Sequence, residues 1–236
     1  MINFLRKLRR ENMDGKYIKY AVGEIFLVVI GILIALGINN WNENRKAANF
    51  EQEILEEVLA SLSRDATELY QLQISFEEAD ASIHKTLLFA EGSRDKSQRD
   101  SIPYWLGKFM SFDRFNPSSS VYEVLKSQGL QNITNKGLRL LIAEYYDEAI
   151  PAIVEALRDV EDEFESSMIN HIKAEFRDFR FQEMALPNDI DAYLNDHRNI
   201  VYFKIFRDNR NGSLDDLAYG IGLNKEIRDR IQQEIN

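Results

Sequence analysis

Ile25 to Ile38 reads IFLVVIGILIALGI, fourteen consecutive residues without a polar side chain. Extended back to Tyr20 and on to Trp41, the run has twenty-two residues. At 1.5 Å per residue that is about 33 Å of helix, enough to cross a hydrocarbon core of about 30 Å. The pattern predicts a transmembrane helix over 20–41. Beyond it the apolar run gives way to periodic spacing. No Gly or Pro occurs from Ile38 to Glu91, and Leu55, Val58, Leu62, Leu69, Leu72, Phe76, Ala79 and Ile83 recur at 4-3 intervals. Asp65 and Thr86 interrupt the same frame. This predicts one long helix with a coiled-coil-like seam, leaving the membrane without a hinge and rigidly coupled to the span. Such a seam reads as intramolecular core before it reads as an oligomer contact, because further helices are available to cover it.

The rest of the chain keeps to helical spacing. GSRDKSQRD, residues 92–100, reads as a charged loop. Residues 103–115 are rich in aromatics and predict a short helix with a packed turn. Ser118 to Ser120 offer N-caps for a helix ending at Gln128, with Gly129 in the left-handed position. A second long helical stretch carries Leu138, Leu141, Ile142, Tyr145 and Ala149, then Ile153, Leu157, Val160, Phe164, Met168 and Ile172. Pro151 kinks it or starts a new helix. Residues 178–188 read as a loop or frayed end. Residues 190–206 form a helix with Tyr193, Leu194, Val201, Tyr202 and Ile205 inward; Gly212 breaks it, and Ser213 caps a last helix. No period-2 runs bounded by hairpin signals appear. The predicted fold is all-α: one N-terminal transmembrane helix continuing into a long helix, then a helical-bundle ectodomain. The domains are a basic amphipathic segment over 1–19, the span over 20–41 and a helical domain over 42–236.

Charge sets the orientation. Residues 1–19 carry six Lys and Arg against two acidic residues, although the whole chain has a net charge of −10. Only Arg45 and Lys46 follow the span closely. Basic flanks stay inside, so the N-terminus reads as cytoplasmic and the large domain as periplasmic, in a bacterial inner membrane. Arg6, Lys7, Arg9 and Arg10 suit anionic lipid head groups, and Tyr17, Tyr20, Asn39, Asn40 and Trp41 sit where interfacial anchors belong. Ala35-Leu36-Gly37 has the small-x-small form of a signal cleavage site. Signal cores are shorter, however, and the helical pattern runs on, so the anchor is expected to remain. An acidic outer domain repels phosphate, which argues against nucleic acid as a partner. Cysteine is absent, which excludes disulfides and thiol chemistry.

Glu24 is the sharpest candidate site, because an ionisable residue within a span is costly. It either pairs or snorkels at the cytoplasmic surface, near Lys16 and Lys19, or handles an ion or proton. Gly31 and Ala35 form a small-xxx-small pair, and Gly23 and Gly37 add low spots for helix–helix packing. The acidic run Asp159, Glu161, Asp162, Glu163 and Glu165 lacks the His of a di-iron bundle and reads as a solvated face. His84, His171 and His197 stand alone, without ligand spacing. Asp189-Ile190-Asp191 lacks the remainder of an EF-hand. Asn132-Ile-Thr and Asn211-Gly-Ser read as turn or cap chemistry. No catalytic, cofactor or metal motif emerges.

GKYIKYAVGEIFLVVIGILIALGINNWNENRK, residues 15–46, resembles the N-terminal signature of an uncharacterised family of single-pass membrane proteins common in Bacteroidota. Tyr122 to Ser127 (YEVLKS) followed by Gly129 resembles that family's internal motif. The resemblance implies a membrane protein of unknown function and marks Glu24, Asn39, Asn40 and Trp41 as matching positions. One departure is Gly37, where the pattern carries a larger polar residue, commonly Gln.

These readings lead to a non-enzymatic, single-pass protein that self-associates through span and ectodomain and serves as scaffold, sensor or partner-docking module. Its partners would be lipid, further copies of itself, and another membrane or periplasmic protein; no cofactor is called for. Two alternatives stay open. One is an ion-conducting or ion-driven assembly using Glu24. The other is a receptor binding a small molecule near Tyr104 and Trp105.

Overall fold

The computed structural model describes residues 15–92 and 96–235. The basic stretch with Arg6, Lys7, Arg9 and Arg10 lies outside the described residues, as does the side chain of Tyr17. The chain divides into two compact units, Met1–Glu51 and Gln52–Asn236.

The fold is helical throughout, apart from one two-stranded sheet. Helix α1 is Gly15–Glu91, continuous because nothing from Ile38 onward removes a backbone donor or favours a turn. A 3₁₀ turn, Lys96–Ser101, leads into α2, Ile102–Phe109. Helix α3 is Ser120–Gln128, and a 3₁₀ turn at Leu130–Asn132 follows it. Gly129 between them has φ +100°, a conformation open to glycine. Ser119 holds the N-cap position without a side-chain bond.

The second long helical run is built from α4 (Lys136–Glu144), α5 (Ile150–Glu163) and α6 (Ile169–Glu175). They are joined by π-helical turns at Tyr145–Ala149 and Phe164–Met168. Each wide turn inserts a residue and re-phases the helix. This lets the consecutive Tyr145 and Tyr146 both be buried, and Pro151 falls just after the first turn. Asn135 caps α4 by accepting from Leu138 N at 3.1 Å.

The loop predicted over 178–188 is instead a hairpin. Strand β1, Phe176–Arg180, pairs antiparallel with β2, Met184–Pro187, placing Phe179 opposite Ala185 and Arg180 opposite Met184. The turn lacks the usual Gly or Asn. Gln182 adopts φ 60°, a cost for a residue with a Cβ. Its amide offsets that cost by donating to Phe112 O at 3.2 Å and Asp113 Oδ1 at 3.0 Å.

Two further expectations are corrected after the hairpin. The helix predicted over 190–206 is split at Asp196 into α7, Ile190–Asn195, and α8, His197–Ile235. The split resets the phase: Ile200, Phe203 and Phe206 are buried, while Val201 and Ile205 are exposed. Helix α8 then runs straight through Gly212, Gly220 and Gly222. A glycine costs only about 1 kcal/mol in a helix interior, and Phe206, Arg210, Ser213 and Leu217 are buried on either side of Gly212. Ser213 is therefore not a cap; its hydroxyl donates to Ala156 O at 3.5 Å. Asn211 likewise lies within the helix. Gly220 permits close approach, since a Cβ there would stand 2.4 Å from Ile153 Cδ1.

The seam of α1 is the core of the second unit. Leu55, Val58, Leu62, Leu69, Leu72, Phe76, Ala79 and Ile83 are none more than 5% exposed. The aromatic stretch at 103–115 joins them: Leu106, Phe109 and Met110 cluster with Ile83, Phe164, Phe203 and Phe206. Gly107 lets α2 lie against the hairpin, since a Cβ would stand 2.3 Å from Met184 N.

Candidate functional site

Two features lie beyond an ordinary helical core: an apolar helix surface that no described residue covers, and a set of polar centres inside the second unit.

The first belongs to residues 20–41 of α1. Ile25, Phe26, Leu27, Val28, Ile32, Leu33, Ile34, Leu36 and Ile38 are all exposed, on every side of the helix. None of the apolar window is buried, and this helix is long and apolar enough to cross a membrane. In water such a cylinder would be strongly unfavourable, at about 25 cal/mol per Å² of apolar surface; in lipid its backbone is already satisfied. Glu24 is exposed on this helix and has no ion pair among the described residues. A Cβ at Gly23, Gly31 or Gly37 would meet nothing within 4 Å, so these low spots are open. Ala35 and Gly31 are four residues apart and share a face. Tyr20, Asn39, Asn40 and Trp41 are exposed at the two ends of the apolar run, and the Arg45 guanidinium lies 5.9 Å from the Trp41 ring centroid.

The polar centres show what Asp65 does in the seam. It is 1% exposed. Its carboxylate accepts from Ser118 N at 2.8 Å and from the Tyr145 hydroxyl at 3.1 Å. Asn224 of α8 donates to Leu62 O at 2.9 Å and to the Tyr145 oxygen at 3.1 Å. Arg228 in turn donates to Asn224 Oδ1 at 2.9 Å. One network therefore ties α1, the first π turn, the loop before α3, and α8. Burial beside Asp65 drives the Tyr145 pKa well up, so its hydroxyl stays a donor.

Tyr122 and Lys126 of the YEVLKS motif both hold Asp147 in the first π turn, at 2.6 and 2.9 Å. The Tyr122 ring stacks on Tyr146 with centroids 4.6 Å apart. The Tyr122 hydrogen bond, then that of Lys126, keeps the Asp147 carboxyl below its usual range. The motif is thus a clamp between α3 and the second helical run.

Arg210 is the buried charge of α8. Its guanidinium lies 4.9 Å from the Phe76 centroid and 5.6 Å from that of Phe206. Nη1 donates to Phe109 O at 3.2 Å, and Nη2 is 3.7 Å from Asp113 Oδ2. Desolvation lowers its pKa to about 10. Asp113 also accepts from Ser75 Oγ at 2.8 Å and from Gln182. Neither Asp65 nor Arg210 carries a motif; what sequence offers is a polar residue at an apolar phase position.

Other candidates resolve into local structure. Asp189 caps α7, accepting from Asp191 N and Ala192 N at 2.9 and 3.0 Å. Glu161 of the acidic run binds Arg114. Among the described residues no group of three or more His, Asp or Glu could hold a metal ion. Tyr104 is exposed and Trp105 packs partly buried against the core. Neither lines the surface clefts of about 570, 260 and 230 Å³ found among the described residues.

The model of a family of unknown function, DUF6090, matches residues 24–91. The matched stretch runs from Glu24 to the last residue of α1, and it leaves out the YEVLKS motif. No curated protein and no solved structure matches the chain.

Proposed function

We propose that this chain is a single-pass protein of a bacterial inner membrane, its N-terminus cytoplasmic and residues 42–236 forming a periplasmic helical domain. The observation that carries the reading is the uncovered apolar surface on all sides of α1 between Ile25 and Ile38. The six basic residues before the span support the orientation. The role is non-enzymatic: an oligomeric scaffold, sensor or docking module for another membrane or periplasmic protein. The polar centres favour this role, because their groups bind helices to one another. Self-association belongs to the span, through Gly23, Gly31, Ala35 and Gly37, since the Leu55–Ile83 seam is already covered within the second unit.

The natural absence of cysteine makes a clean topology test. The chain should stay with membranes through an alkaline wash. In a Lys173→Cys variant, a membrane-impermeant maleimide should label intact cells once the outer membrane is permeabilised. Extraction by alkali ends the anchor reading, and labelling only after lysis ends the orientation. Crosslinking in native membranes should give dimers or larger species that Gly31→Leu diminishes; a monomer throughout ends the oligomer.

A further inference from the structure

His171 is the one histidine drawn into the interior. It is half-buried on α6, and its Nε2 stands 2.7 Å from the Tyr193 hydroxyl of α7. Three rings surround the imidazole: Tyr202 of α8 at 5.5 Å, Tyr193 at 5.6 Å, and Phe176, the first residue of β1, at 6.0 Å. Tyr193 is 4% exposed, so its hydroxyl depends on the partner it has. One contact therefore joins the second helical run to the beginning of the hairpin, to α7 and to α8.

The charged groups around it are few. Glu175 lies one turn further along α6. Asp196, in the turn between α7 and α8, is held by Arg198 at 2.6 Å, with His197 beside it. Tyr202 leads to Glu163 at 3.5 Å, and β1 brings the Phe176 ring to 6.0 Å. Burial outweighs the pull of Glu175 and Asp196 and keeps the His171 pKa below its ordinary value of about 6.5. The neutral imidazole is therefore the resident form at neutral pH. Protonated, it would hold a charge against three rings. Swinging out to Glu175 would restore solvation but would leave the Tyr193 hydroxyl buried and unpaired, an unfavourable state.

We propose that the His171–Tyr193 contact is an acid-released latch, holding the segment 176–195 on the long helices at neutral pH and letting it loosen in mild acid. The direction follows from linkage. A released His171 binds its proton more readily than a docked one. The latch is thus at full strength above about pH 6.5 and weakens as pH falls through that value toward the docked pKa.

The test is amide hydrogen exchange on the full-length chain in detergent micelles, at about pH 7.5 and about pH 5, corrected for intrinsic rates. Protection over 176–195 should be lower at about pH 5 than at about pH 7.5. Protection over 55–83 should hold. His171→Gln keeps a hydrogen-bonding side chain that cannot gain charge, and it should abolish the acid response. No response in the wild type, or the same response in H171Q, overturns the proposal. Should H171Q fail to fold, proton NMR of the wild type decides instead. His171 must titrate below the ordinary histidine value of about 6.5; titration at or above it overturns the latch.

Discussion

The Tyr145 hydroxyl donates to Asp65 Oδ2 at 3.1 Å, across eighty positions of sequence, at a site where neither residue is more than 1% exposed. Two elements meet there: α1 supplies the acceptor and the π turn supplies the donor.

Removing both partners should cost less than the sum of removing each. Tyr145→Phe takes one donor from a buried carboxylate and the acceptor from Asn224, with an expected loss of about 1–3 kcal/mol. Asp65→Ala leaves the Tyr145 hydroxyl and Ser118 N without their acceptor, at about 1–3 kcal/mol each. The double variant should fall short of the sum. Urea unfolding of the full chain in detergent, followed by circular dichroism, measures all three.

Gly107 and Gly212 should respond oppositely to alanine. At Gly107 a Cβ would stand 2.3 Å from Met184 N and 2.6 Å from Glu183 C. That is rigid backbone, so Gly107→Ala should destabilise by about 3 kcal/mol, at the upper end of ordinary overpacking. At Gly212 nothing lies within 4 Å, and the site is exposed mid-helix. Gly212→Ala should raise stability by up to about 1 kcal/mol. Thermal unfolding of the two variants side by side gives the comparison.

The Asp147 clamp should weaken in acid. Tyr122 and then Lys126 lower its pKa, so the contribution is present above about 3.9, the unfolded value, and is lost as pH falls through the lower folded value. Half-exposed pairs of this kind contribute under about 1 kcal/mol. Asp147→Asn should thus lie slightly below wild type at neutral pH, and the two stability curves should draw together as the pH falls below about 3.9. Unfolding midpoints across that range would show convergence or refute it.

A charge at mid-span should impair insertion. Ile30→Lys places a cation halfway along the apolar run, at a cost of about 3 kcal/mol. The membrane-bound fraction after an alkaline wash should drop. Val124→Lys, at an exposed position of the second unit, should leave that fraction unchanged.

The features legible in the sequence were those set by local spacing. The long apolar stretch, the unbroken α1 and its seam follow from residues a few positions apart, and the seam residues named above, from Leu55 to Ile83, are buried. The hairpin was not legible, because Gln182 takes its φ of 60° only where Phe112 and Asp113 receive its amide. The fate of Gly212 was not legible either. An isolated glycine there favours a break, and what overrides it is burial of Arg210 and Ser213 against other elements. Asp65 looked like a flaw in the seam, because its partners at 118 and 145 cannot be assigned from position 65 alone.

By itself the sequence determined which stretch of α1 is apolar on every side and which face of α1 is buried further along, since both depend on the spacing of apolar residues against the helical repeat. Only the tertiary structure decided which polar groups meet inside. A buried hydrogen bond requires two groups within about 3 Å in a suitable direction, and that coincidence is produced by packing elements remote in sequence.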